Sequence, residues 1–176
     1  MPRLPLQLPA NYLDGSMSVS PGRTYRYYDG HKPPLYWFGH GLSYNTFAYT
    51  NLKVTPSASL RSGNHSLNVS LAVDVDVTCG TTFPNNSDHV VMIYVTASLD
   101  AVTDRDLASL PKRQLIGFQR VTLAPGEKRT VTVNILASRL RLVDAMDRYQ
   151  LIQGTYKMWI GNVDKEEVVA QVKVTE

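Results

Sequence analysis

Three features of the 176-residue sequence predict an all-β fold: an antiparallel sandwich of immunoglobulin-like type with an extended N-terminal linker segment. From Leu67 to Val77 every second residue is aliphatic (Leu67, Val69, Leu71, Val73, Val75, Val77), and Asn68, Ser70, Ala72, Asp74 and Asp76 alternate with them. That is the period of a strand with one buried face. About seven β-prone runs, separated by turn formers, follow one another at 8 to 20 residue spacing. No long stretch carries the helical period of 3.6 residues.

In chain order, residues 1–45 read as an extended tail and joint, and residues 46–176 as the sandwich. The first twenty residues are rich in prolines and turn formers, with Leu4, Leu6 and Leu8 alternating. Gly22-Arg23-Thr24-Tyr25-Arg26-Tyr27-Tyr28-Asp29-Gly30 then alternates in a β-compatible way, and Asp29-Gly30 is a turn signal. Two extended pieces are therefore predicted there, the second ending at the glycines around His40. Tyr49 to Thr55 is the first sandwich strand, stopped by Pro56, and Leu67 to Val77 the second. Cys79 to Asp88 is a polar loop, and Val90 to Ala97 is apolar enough for a central strand.

Ser98 to Pro111 reads as a loop, and Arg113 to Leu123 as a strand. Ala124-Pro125-Gly126-Glu127 places Pro and Gly at the central positions of a type II turn, after which Val131, Val133 and Ile135 point inward. Ala137 to Leu140 suits one helical turn with Ser138 as its cap. Thr155 to Ile160 and Glu167 to Thr175 close the series, the latter with Val168, Ala170, Val172 and Val174 on one face.

Composition narrows the function. With 43% hydrophobic and 19% charged residues the chain is globular, and no apolar run reaches the ~20 residues of a membrane helix. Net charge is only +3, with Lys112-Arg113 and Arg139/Arg141 the tight basic groups, so no stripe for nucleic acid is present. Cys79 is alone, which rules out an internal disulfide and favours a buried small hydrophobe. Met1 to Pro9 lacks the apolar core of a secretory signal. Asn64, Asn68 and Asn85 begin glycosylation acceptor triplets, which count only in a eukaryotic secretory pathway.

Material for catalysis is thin. Asp74 and Asp76 lie two apart on an outward strand face, where a solvated surface is favoured over a calcium or substrate site. Asp100, Asp104 and Asp106 share a loop without a glycine-centred spacing. His31, His40, His65 and His89 show no metal-binding pairing, and Ser43 lacks a nucleophile-elbow context. No catalytic residue, cofactor or metal site is therefore assigned. The remaining candidate is the aromatic segment: Arg23, Tyr25, Tyr27, Tyr28, Tyr36, Trp37 and His40 suit a domain interface, or stacking on sugar rings.

GRTYRYYDG followed by PLYWFGHGLSYNTF resembles the stretch of glycoside hydrolase family 3 enzymes, the β-glucosidases and β-xylosidases, that leaves the α/β-sandwich domain and enters a fibronectin type III-like domain. HVVMIYV, KRQLIGFQRVTLAPGEKRTVTV and GTYKMWIGN resemble that domain's later strands, so the likeness runs from about residue 20 to 176. Trp37 stands where the family usually has proline, and the Cys79 to Asp88 loop replaces a short turn. The resemblance implies a non-catalytic module of a glycosidase whose nucleophile and acid/base lie in other domains. Its partners would be those catalytic domains, normally in the same chain, or an oligosaccharide. It also implies that residues 1–45 are the end of the preceding α/β domain, and that Tyr25, Tyr27, Tyr36 and Trp37 form an exposed apolar patch in the chain alone. Secretion or a periplasmic location is common in the family.

Overall fold

The structure, a computed structural model, describes residues 17, 22–29, 32–99, 110–144, 146, 148–162 and 165–176. Asp100, Asp104, Asp106, His31 and Gly30 lie outside them. Ten strands are found among the described residues. They are β1 (Phe47–Pro56), β2 (Leu60–Arg61), β3 (Ser70–Cys79), β4 (Ser87–Leu99), β5 (Gln114–Leu123), β6 (Lys128–Leu136), β7 (Leu142–Val143), β8 (Tyr149–Gln150), β9 (Gly154–Asn162) and β10 (Lys165–Thr175). The seven longer strands match the seven predicted runs, and the all-β sandwich is borne out.

A three-stranded sheet, β1-β3-β6, packs on a five-stranded sheet, β2-β10-β9-β4-β5, and β7-β8 form a small ladder. Pairing is antiparallel except for the short β2–β10 contact. The core lies between the sheets. Leu71, Val73, Val75, Val77 and Cys79 of β3 are at most 1% exposed, and face Val91 and Ile93 of β4 and Tyr156, Met158 and Ile160 of β9 in one buried cluster. Burying each such aliphatic side chain is worth about 1.5–3 kcal/mol, which is why the alternation of β3 dictates its orientation. The ladder begins at Ser70, not Leu67: the Val69 amide donates to the Ser66 carbonyl in a turn, and Leu67 and Val69 only lean on the core.

The β5–β6 turn forms as predicted. Gly126 takes φ +76°, open to glycine without cost, and the Glu127 amide donates to the Ala124 carbonyl at 3.0 Å. The Glu127 carboxylate also accepts from the Ala124 amide at 2.8 Å.

Two expectations need correction. Ala137–Leu140 does form a 3-10 turn, but Leu136 is its N-cap and Ser138 makes no capping bond. The Ser138 amide instead donates to the Leu67 carbonyl, and the buried Ala137 and Leu140 anchor the turn. Thr24–Tyr27 is not extended but a single helical turn, α1. Its shape is set by the sheet edge it meets: the Arg26 carbonyl accepts from the Lys112 and Arg113 amides, and the Tyr25 hydroxyl accepts from the Leu115 amide.

Candidate functional site

The outer face of the five-stranded sheet is covered around one aromatic pair, while Phe118, Val169 and Val90 on the same face stay exposed. Tyr94 of β4 and Trp159 of β9 are register partners, point away from the main core, stack at 5.7 Å and are 0% and 2% exposed. Their cover comes from the aromatic segment, since Tyr25 and Trp37 pack on this pair together with Met92 and Leu115. The sheet thus has a second, smaller core on its far side.

Most residues of the aromatic segment singled out in the sequence have a definite place. Tyr25 stacks on Phe38 at 4.1 Å, and Trp37 lies 6.1 Å from Tyr28, with the Arg113 guanidinium 5.2 Å from its ring centre. A cation over an indole face is worth about 0.5–2 kcal/mol depending on burial. The Tyr28 hydroxyl donates to the Lys32 carbonyl, while the Tyr28 carbonyl accepts from Arg113 at 3.3 Å. The Arg23 amide bonds the Met17 carbonyl, Arg26 donates to Gln114 at 2.7 Å, and Lys112 pairs with Asp29. Tyr36 and His40 lie ring to ring at 4.9 Å on the outside.

The four-residue apolar patch is therefore corrected. Tyr25, Tyr27 and Trp37 are half-buried, while the outward side chains are Tyr36 with Leu35, Phe38, Leu42 and Tyr44. Leu35 and Leu42 are more than 90% exposed and Tyr44 is 81% exposed. Gly39 brings the backbone close to the sheet: it has φ +84°, and a Cβ there would meet the Tyr94 hydroxyl at 2.6 Å and the Met92 sulfur at 2.8 Å.

Residues 39–45 then run across the strand ends into β1, and between this strap and β1, β4 and β10 lies a cleft of about 500 Å³. Phe47 and His89 stack at 4.0 Å along it, and the Tyr49 hydroxyl is hydrogen-bonded to His89 Nε2. Burial lowers the His89 pKa to about 4 and pushes the Tyr49 phenol up, with Glu167 adding to the latter. Asp88, on the same cleft, stays ionised because Thr122 and Arg120 donate to it. Asn45 at the strap's end is buried and satisfied by Phe83 and Ser87. The sequence singled out neither this cleft nor Tyr94 and Trp159, and it marked Arg113 only as half of a basic pair. Two aromatics on the outward parity of β4 and β9 were the available signal.

Asp74 and Asp76 lie on the outer face of the three-stranded sheet and are bonded to Thr132 and Thr130 at 2.6 Å each. Asp76 also accepts from Asn51 and Lys128, and these bonds bring its pKa down to about 2. Among the described residues no group of three or more His, Cys, Asp or Glu side chains is placed to hold a metal ion. Cys79 is buried in the main core.

Known proteins resemble this chain in sequence and fold. The model of the fibronectin type III-like domain matches residues 89–163. The periplasmic beta-glucosidase of Salmonella typhimurium is 33% identical over 82% of this chain. The beta-xylosidase of Formosa agariphila is 30% identical over 96% of it. The chain carries a fibronectin type III-like domain of the glycoside hydrolase family 3 kind. The beta-D-glucoside glucohydrolase of Trichoderma reesei superimposes with a TM-score of 0.66 and 26% identity, over 81% of this chain and 20% of that enzyme. The resemblance read from the sequence is thus borne out. The fibronectin type III-like chain spans 17% and 21% of the two curated relatives, so it corresponds to a small part of a longer enzyme chain.

Proposed function

We propose that this chain is the non-catalytic fibronectin type III-like module of a family 3 β-glycosidase, a β-glucosidase or β-xylosidase, bracing catalytic domains that belong to the same protein. In this reading residues 1–45 are the joint to the preceding α/β domain, residues 46–176 are the module itself, and the aromatic segment is the seam between them. The observation that carries it is the two-sidedness of that segment: Tyr25 and Trp37 pack on the sheet, while Leu35, Leu42 and Tyr44 are left almost wholly exposed. Aromatic and large aliphatic side chains gathered in this way fit the centre of a domain interface.

The alternative, a free-standing carbohydrate-binding or adhesion module, asks Tyr25, Tyr28, Tyr36 and Trp37 to offer sugar-stacking faces. Packing on Tyr94 and Trp159 takes up Tyr25 and Trp37, which favours bracing. The purified chain is expected to give the circular dichroism of a folded β-protein and no turnover of aryl β-glucosides or aryl β-xylosides. Turnover that copurifies with the folded chain overturns the proposal.

A further inference from the structure

The cleft beside the strap is chemically unlike the apolar seam: it shares His40 and Leu42 with the aromatic segment, but its Phe47, Asp88, His89, Arg120 and Glu167 have no part in the bracing role. We infer that it binds a single neutral pyranose unit at the junction of strap and sandwich; the choice of sugar as ligand rests on the glycosidase reading above.

A pyranose presents a flat C–H face and a rim of hydroxyls, so its site needs an apolar platform and planar polar groups around it. The cleft has both. Phe47 and His89, stacked 13° from parallel, line it together with Met92. Around them stand the Asp88 and Glu167 carboxylates and the Arg120 guanidinium, from three different strands of the five-stranded sheet. Among the described residues each Asp88 oxygen takes one protein bond, Oδ1 from Thr122 and Oδ2 from Arg120, and a carboxylate oxygen can accept a second. The Asp88 pair therefore offers a hydroxyl an acceptor and a donor side by side.

Charge sets the ligand class. Two carboxylates against one guanidinium disfavour phosphates and sugar acids, which leaves neutral polyols. The cleft's volume of about 500 Å³ accommodates one ring and its aglycone, within the ~300–1,000 Å³ typical of small-molecule sites. Its mouth is open at the strap, where a Cβ on Gly41 would meet nothing within 4 Å.

The test is a ¹H–¹⁵N NMR titration of the full chain with methyl β-D-glucopyranoside and methyl β-D-xylopyranoside, with sorbitol as the flexible polyol control. Saturable shifts are expected at the amides of Gly39, Gly41, Tyr49, His89 and Val90, with a Kd of about 1 mM for at least one glycoside and none for sorbitol. Arg120 and Glu167 are exposed, so Arg120→Ala and Glu167→Ala should keep the fold by circular dichroism and weaken binding about tenfold or more. Tyr36→Ala should bind as the parent does. Absence of saturable shifts with both glycosides, or binding lost in Tyr36→Ala and kept in the cleft variants, overturns the inference. Neither outcome touches the bracing role, which stands or falls on turnover by the chain.

Discussion

His89 occupies a position where charge is costly. Its ring lies against Phe47 and bonds Tyr49, and burial holds its pKa near 4 against 6.5 for a free imidazole. The unfolded chain therefore binds a proton at a pH where the folded one does not. Stability is complete above about pH 6.5 and is lost as pH falls toward 4. A fully desolvated ring would lose ~3 kcal/mol over that interval; partial contact with solvent reduces the expectation to about 1–2 kcal/mol. The ionised carboxylates add their loss at lower pH, Asp76 between 3.8 and about 2. Urea unfolding at pH 7 and pH 5 should show the decline, and His89→Phe should remove most of it. An unchanged decline in that variant would place the proton elsewhere. In the sequence His89 was one of four scattered histidines, because its partners on β1 are forty residues away and only the packing of the two sheets brings them together.

At the scale of elements, β3 shows what periodicity can and cannot carry. Leu71 is fully buried and Asp74, on the opposite face, accepts a hydrogen bond from Thr132. Leu71→Ala should cost about 2–5 kcal/mol and Asp74→Ala less than about 1 kcal/mol in denaturant unfolding. Equal losses would mean that β3 does not present one face to a core. This strand was legible because its two faces differ. In β4 both faces are apolar around Ile93 and Tyr94, so the run revealed a buried strand but not what covers its far side. For α1 the alternation of Arg and Tyr suggested extension. Lys112 and Arg113, just ahead of β5, and Leu115 within it bond it into a helical turn instead, and a four-residue element has too few local contacts to resist them.

For the molecule as a whole, the sandwich was readable from the spacing of its strands, and its family from motifs spread along the chain. The division of the aromatic segment between inward and outward side chains was not, since that depends on which rings meet Tyr94 and Trp159. The central claim is that this segment is a two-sided seam, docked on one face and available on the other. Hydroxyl-radical footprinting of the purified chain, read by mass spectrometry residue by residue, tests it most directly. Tyr36 and Tyr44 should be oxidised rapidly, with Tyr25, Trp37, Tyr94 and Trp159 protected until the sandwich itself unfolds. Trp37 oxidised as fast as Tyr36 in the folded chain would show that the segment lies free of the sheet, and would contradict the account.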